Sequence, residues 1–229
     1  VNALSHSVRK GLIESLLSLI EDKSVEGIIL IGEGRTFFAG ADISEFGKPM
    51  MGPDLNKVIN TFEESTKPVV AALHGTPLGG GLELAMGCNY RVSLSSTKLG
   101  LPEVTLGIIP GAGGTQRLPR LAGVEKSLSM ITSGRPINAK EALDHNIVEE
   151  VYEDALLANT MNFIKTKISK QSHPKTRDLN DKVSNIDNSI FEKFNDQIKK
   201  KFRGRKSPLC AIEAIKAAHE RGIELGKSQ

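Results

Sequence analysis

Between His74 and Arg120 the chain reads HGTPLGGGLELAMGCNYRVSLSSTKLGLPEVTLGIIPGAGGTQRLPR, the densest glycine in the sequence, interleaved with apolar runs. The triplet Gly79-Gly80-Gly81 has no side chains, so its backbone N–H groups can approach a ligand closely. Leu82 to Gly87 then reads as a short buried helix whose N-terminus favours negative charge. An oxyanion formed there is stabilised where water does not compete. Two carboxylates, Glu83 and Glu103, sit beside the glycine clusters in otherwise apolar segments. A carboxylate bordered by Leu82, Leu84, Ala85 and Met86 is costly to bury without a partner or a chemical task. The plainer reading of the triplet alone is a tight strand-to-helix turn.

Known nucleotide loops fit this stretch badly. A P-loop needs Lys-Ser/Thr after its last glycine, whereas Gly81 is followed by Leu82 and Glu83. Gly111 to Gln116 lacks the third glycine of a dinucleotide fingerprint. There is no GxSxG elbow, and His219-Glu220 has no second histidine at zincin spacing. Cys88 and Cys210 lie far apart with no ligand partners at metal spacing, so both read as buried thiols in a reducing compartment and no metal site is expected. Aromatic residues make up only 4% and the net charge is +3, which gives no nucleic-acid signature. No apolar run reaches membrane-spanning length, so no membrane partner is expected either.

The 229 residues, 39% hydrophobic, suit one large domain or a domain with an appendage. Leu4, Val8, Leu12, Leu16 and Ile20 recur at helical spacing. Gly27 to Ile31 and Val69 to Leu73 are continuous apolar runs, the pattern of strands buried on both faces. The loop from Gly32 to Asp42 then leaves the first of these at its carboxyl end, where α/β folds bind ligands. Leu55 to Ser65 reads as helix, Tyr90 to Leu94 as strand and Val124 to Thr132 as helix. A short helix over 139–145, a strand over 147–152 and helices over 154–169, 189–202 and 209–225 follow. His74, at a strand end, is either a titrating site group or a structural hydrogen-bonder. Met50 and Met51 either line an apolar ligand tunnel or sit in an exposed loop.

Three motifs, in order, carry a family resemblance. Phe37-Phe38-Ala39-Gly40-Ala41-Asp42-Ile43, His74-Gly75 to Gly79-Gly80-Gly81-Leu82-Glu83, and Leu101-Pro102-Glu103 to Gly111-Ala112-Gly113-Gly114-Thr115-Gln116-Arg117 together resemble the enoyl-CoA hydratase/isomerase (crotonase) family. The tail around Ser207-Pro208-Leu209-Cys210 is similar to the hydratase part of multifunctional fatty-acid oxidation enzymes. The resemblance implies an α/β crotonase (ClpP-like) spiral of ββα units with C-terminal helices. It implies a core over 1–170 whose first strand is missing and a helical segment over 171–229. On the same basis the chain is expected to be a piece of a longer hydratase–dehydrogenase protein.

By resemblance, Glu83 and Glu103 are the catalytic carboxylates and the N–H groups of Ala41 and Gly80 form the oxyanion hole. Gly111 orients a water, while Ala39, Asp42 and Ile43 meet the CoA moiety through backbone groups. Ser44 departs from relatives that carry a basic residue at that position. The implied reaction adds water to a trans-2-enoyl-CoA, with Glu83 as the water's base and Glu103 as the acid, and needs no cofactor beyond the CoA of the substrate. A Δ3–Δ2 isomerase is the alternative, as main or second activity, and a non-catalytic scaffold the bland one. The resemblance also implies an acyl-CoA thioester as ligand, and either a trimer-type homo-oligomer or a covalently attached dehydrogenase part. A bacterial-type cytoplasm is the expected compartment, with an organelle matrix as its alternative.

Overall fold

A computed structural model describes residues 2–45, 47, 49, 51–202 and 204–220. The chain begins with β1 (Asn2–Leu4), α1 (His6–Glu21), β2 (Ile28–Ile31), β3 (Phe38–Ala41), α2 (Leu55–Glu63), β4 (Val69–Leu73) and α3 (Gly80–Gly87). It continues with β5 (Tyr90–Leu94), β6 (Lys98–Leu99), α4 (Gly114–Ala122), α5 (Val124–Ser133), β7 (Ile137–Asn138), α6 (Ala139–Asp144) and β8 (Glu150–Tyr152). Three helices close it, α7 (Leu156–Ile168), α8 (Ser189–Lys201) and α9 (Ser207–Glu220). Short 3₁₀ turns occupy Ile43–Glu45, Glu103–Leu106 and Thr176–Asp178.

The main sheet is parallel, in the order β2-β4-β5-β8. β4 is buried along its whole length, and its period-2 geometry divides it between two layers. Val69, Ala71 and Leu73 enter the main core with α3, α4 and α5, while Val70 and Ala72 pack with Leu156, Phe163 and Ile164 of α7 on the other face. This two-sided cover is why a central parallel strand reads as an unbroken apolar run.

β1 and β3 form a separate parallel pair, and α3 lies against it. The triplet makes that contact. A Cβ on Gly81 would fall 1.9 Å from the Phe38 carbonyl oxygen, and Gly79 holds φ 51°, ψ −127°, outside the range open to ordinary side chains. Gly81→Ala is therefore expected to push α3 off β3, with a loss of about 1–3 kcal/mol in denaturant unfolding and weaker ligand binding in the cavity described below.

Several elements differ from the sequence expectations. Leu4 belongs to a strand rather than to the first helix, because its fully buried side chain and its backbone pair with Ala41. β2 is an edge strand whose two faces are both packed, Ile28 and Leu30 on the main core and Ile29 on the α7 side, but it is less deeply buried than expected, with Ile31 at its end 37% exposed. Residues 39–41, expected in a loop, form the last three residues of β3. α4 was not expected at all, since paired glycines open it and Pro119 interrupts it. Cys88 is buried and its thiol is pushed up to about 12 by that burial, whereas Cys210 is exposed on the solvent side of α9. Met51 is exposed, and Met50 lies outside the described residues, as do residues 221–225 of the expected last helix.

Candidate active site

One cavity of about 380 Å³ is walled by Ala39, Gly40, Ala41, Gly79, Gly80, Glu83, Glu103 and Gly111, with Leu55, Leu78, Leu106, Ile108 and Ile109 as apolar lining. β3, the start of α3, the turn after β6 and the loop before α4 each contribute to it. A Cβ on Gly80 would lie 3.6 Å from the Ala41 amide nitrogen, which places the two backbones side by side. Gly80 is the first residue of α3, where an N–H has no intrahelical acceptor. A second cavity of about 570 Å³, with Ala41, Asp54 and Leu55 as shared wall, includes Asp42, Glu45, Arg9 and Met51.

The two carboxylates have different surroundings. Glu83 is buried on α3, and its Oε1 accepts from the N–H of Ala112 at 2.8 Å and of Gly114 at 2.7 Å. Glu103 starts its 3₁₀ turn after Pro102, and its Oε2 is buried with no hydrogen-bond partner among the described residues. A methyl on Gly79 would sit 3.0 Å from Glu103 Oε1, a tight contact, and the positive φ of 51° favours glycine there. Burial raises both carboxyls above the usual carboxylate range. On Glu83 the two N–H donors and the Arg117 charge oppose the rise; on Glu103 the negative charge of Glu83 adds to it and brings it to about 8. A proton shared by the pair therefore resides on Glu103, while the donors to Glu83 favour its charged form.

The sign of the resulting pH dependence is fixed. Folded Glu103 keeps a proton that the unfolded chain releases near 4.5, so its contribution to stability is lost as pH rises from about 4.5 to about 8. Glu103→Gln is expected to gain melting temperature relative to the unmodified chain across that window. A constant difference between the two melting curves from pH 5 to pH 9 would contradict the assignment.

The other expected residues are dispersed around this centre. Asp42 lies in the second cavity, and its Oδ1 caps the turn through the Ser44 N–H at 2.9 Å. Ile43 opens the turn Ile43–Glu45. His74 bonds through Nε2 to the Gly32 carbonyl at 2.8 Å and is not among the cavity residues, which is the structural role. Gly111 accepts on its carbonyl from Asn56 Nδ2 at 3.2 Å.

A family model for enoyl-CoA hydratase/isomerase matches residues 1–204. The chain belongs to the enoyl-CoA hydratase/isomerase family. Within that family it is 42% identical over 219 residues to the peroxisomal bifunctional enzyme of Danio rerio, covering 95% of this chain and 30% of that protein. It is 48% identical over 154 residues to a probable enoyl-CoA hydratase of Bacillus subtilis, covering 64% of this chain and 60% of that protein. The chain thus spans about a third of the length of the bifunctional relative. The crystal structure of the enoyl-CoA hydratase from Bacillus anthracis aligns at TM-score 0.66 and 31% identity, over 100% of this chain and 92% of that one. The fold is the crotonase fold, as the family resemblance implies.

Two residues of this family member that the motifs did not single out for a role stand directly behind the site. Glu63 of α2 and Arg117 of α4 form a pair with 2.7 Å between Oε2 and Nη2, at 1% and 0% side-chain exposure. Arg117 sat in the quoted motif with no role of its own. Glu63 gave no signal, because an acidic residue near a helix end is ordinarily solvated.

Proposed function

We propose that the chain is an enoyl-CoA hydratase that adds water across the double bond of a trans-2-enoyl-CoA to give a 3-hydroxyacyl-CoA. The observation that carries this is the pair of unlike carboxylates in a single cavity with a helix N-terminus, one accepting from two backbone N–H donors and one with a buried oxygen that has no partner among the described residues. Addition of water to a conjugated thioester develops negative charge on the thioester oxygen, and N–H groups of Ala41 and Gly80 are assigned to receive it. Glu83 takes a proton from the attacking water, and Glu103 delivers its own to Cα. Gly111 is assigned to help orient the water. Ala39, Asp42 and Ile43 are assigned to the CoA end, which is substrate rather than cofactor.

An isomerase that moves a double bond between Δ3 and Δ2 needs only one carboxylate to shuttle a proton. Both carboxylates are present here, which supports hydration as the main reaction and isomerisation as a secondary one. The reading extends to a core over 1–170 and a helical segment over 171–229. It further includes a role in fatty-acid β-oxidation, with a dehydrogenase part attached in the whole protein or a trimer-type assembly. Matched relatives carry peroxisomal and glyoxysomal as well as bacterial names, and a bacterial-type cytoplasm is the compartment proposed. Among the described residues no helix is long and apolar enough to cross a membrane.

The test is the loss of conjugated-thioester absorbance from trans-2-enoyl-CoA as a function of pH. Since Glu103 must be protonated, kcat/KM is expected to fall as pH rises through about 8. A rate that keeps rising above pH 9 would exclude Glu103 as the acid.

A further inference from the structure

Behind Glu83 runs a continuous chain of polar contacts that addition of water to a thioester does not itself require. Arg117 Nη1 donates to the Ala112 carbonyl at 3.2 Å, and the Ala112 N–H donates to Glu83 Oε1 at 2.8 Å. The Arg117 backbone N–H also donates to the Gly113 carbonyl at 2.8 Å. One guanidinium therefore fixes the loop from Ala112 to Gly114 that holds the Glu83 carboxylate. On its far side the guanidinium is gripped by Glu63, through Nη2 to Oε2 at 2.7 Å and Nε to Oε1 at 3.2 Å. Glu63 is gripped in turn by Arg177, through Nε to Oε2 at 2.7 Å and the backbone N–H to Oε1 at 2.9 Å.

Resting on the hydratase reading, we propose that Arg117 is a positioning residue for Glu83, and that Glu63 sets how much of the Arg117 charge Glu83 feels. Nε and Nη2 of the buried Arg117 fork are taken by Glu63, and Asn60 Oδ1 also accepts from Nη2 at 3.2 Å. The remaining arm of the fork is spent on the loop that binds the base, and the Arg117 charge favours ionised Glu83. The other charged groups on the elements around α3 do not replace it. Arg91 of β5 pairs with Glu149, Arg120 of α4 donates to the carbonyls of Gln116 and Ala218, and β1 and β3 carry no charge. Asp54 stands in the cavity wall, Lys57 of α2 is exposed, and Glu103 is the proton-bearing partner.

Two variants move Glu83 in opposite directions. Glu63→Gln keeps the shape and an acceptor oxygen but leaves the Arg117 charge unmatched on that side, so Glu83 should titrate lower. Glu63→Gln with Arg117→Met removes both buried charges, a replacement that buried pairs often tolerate, and Glu83 should titrate higher by about one pH unit. The readout is ¹³C-carboxyl NMR of glutamate-labelled protein, with the Glu83 resonance assigned from Glu83→Gln; it requires no turnover. With trans-2-enoyl-CoA, the acidic limb of kcat/KM should follow the same shifts, and kcat of the double variant should drop about 10- to 100-fold with KM little changed. Opposite shifts in the two variants, or the expected shift in whichever one folds, support the proposal. An unmoved Glu83 midpoint in either folded variant overturns it, as would a loss of rate with both limbs in place. Shifts in the NMR titration of a protein that hydrates no enoyl-CoA would support the positioning role and sink the hydratase reading alone.

Discussion

Glu103→Gln is expected to reduce hydration of a trans-2-enoyl-CoA about 10²- to 10⁴-fold while the protein stays folded, because the amide cannot deliver a proton to Cα. Glu83→Gln should cost a similar factor for the opposite reason. Its amide retains an acceptor for the N–H groups of Ala112 and Gly114 but cannot take a proton from water. The double variant should lose scarcely more than either single one, since the two groups act in one step. Steady-state kcat on the three variants, with CoA binding measured alongside, checks this. A rate within a few-fold of the unmodified chain in either single variant would mean that the residue has no part in the chemistry.

Glu63→Ala should be the most damaging substitution for stability, with a loss of about 3–5 kcal/mol in denaturant unfolding. The fully buried Arg117 would be left without its carboxylate, and Arg177 of the turn Thr176–Asp178 would keep only its contacts to Asn60 and Glu64 at this end of α2. Burial pushes the Glu63 carboxyl up, but Arg117 and Arg177 outweigh it and hold it below the ordinary value of 4.5. The pair's contribution is thus present at neutral pH and is lost as pH falls below about 4.5. A loss under 1 kcal/mol at pH 7 would show that the surroundings rehydrate Arg117.

The sheet was legible because one central strand is an apolar run that follows Pro68 and the next is a short alternating segment. Val69–Leu73 and Tyr90–Leu94 fall where the pattern puts them. Local pattern fails where long-range contact decides. Asn2–Leu4 becomes a strand only by pairing with β3, and α4 is helical despite Pro119 because its residues from Gly114 to Leu121 are buried among other elements. The cavity residues were legible for a different reason. Glycine beside a carboxylate in an apolar run contradicts ordinary packing, and Gly79, Glu83 and Glu103 all carry that contradiction. Glu63 carries none in sequence, since only the fold shows that the end of α2 turns inward onto Arg117. Cys210 was misread because hydrophobic composition does not say which side of α9 faces the core.

The most direct measurement is the mass of the product formed from a trans-2-enoyl-CoA in ¹⁸O-labelled water. A hydratase incorporates one solvent oxygen at C3, so the 3-hydroxyacyl-CoA should be two mass units heavier than in ordinary water, and Glu83→Gln should abolish the labelled product. Conversion of the substrate with no solvent oxygen in the product, or with only a displaced double bond, would contradict hydration and leave proton shuttling as the chemistry of this cavity.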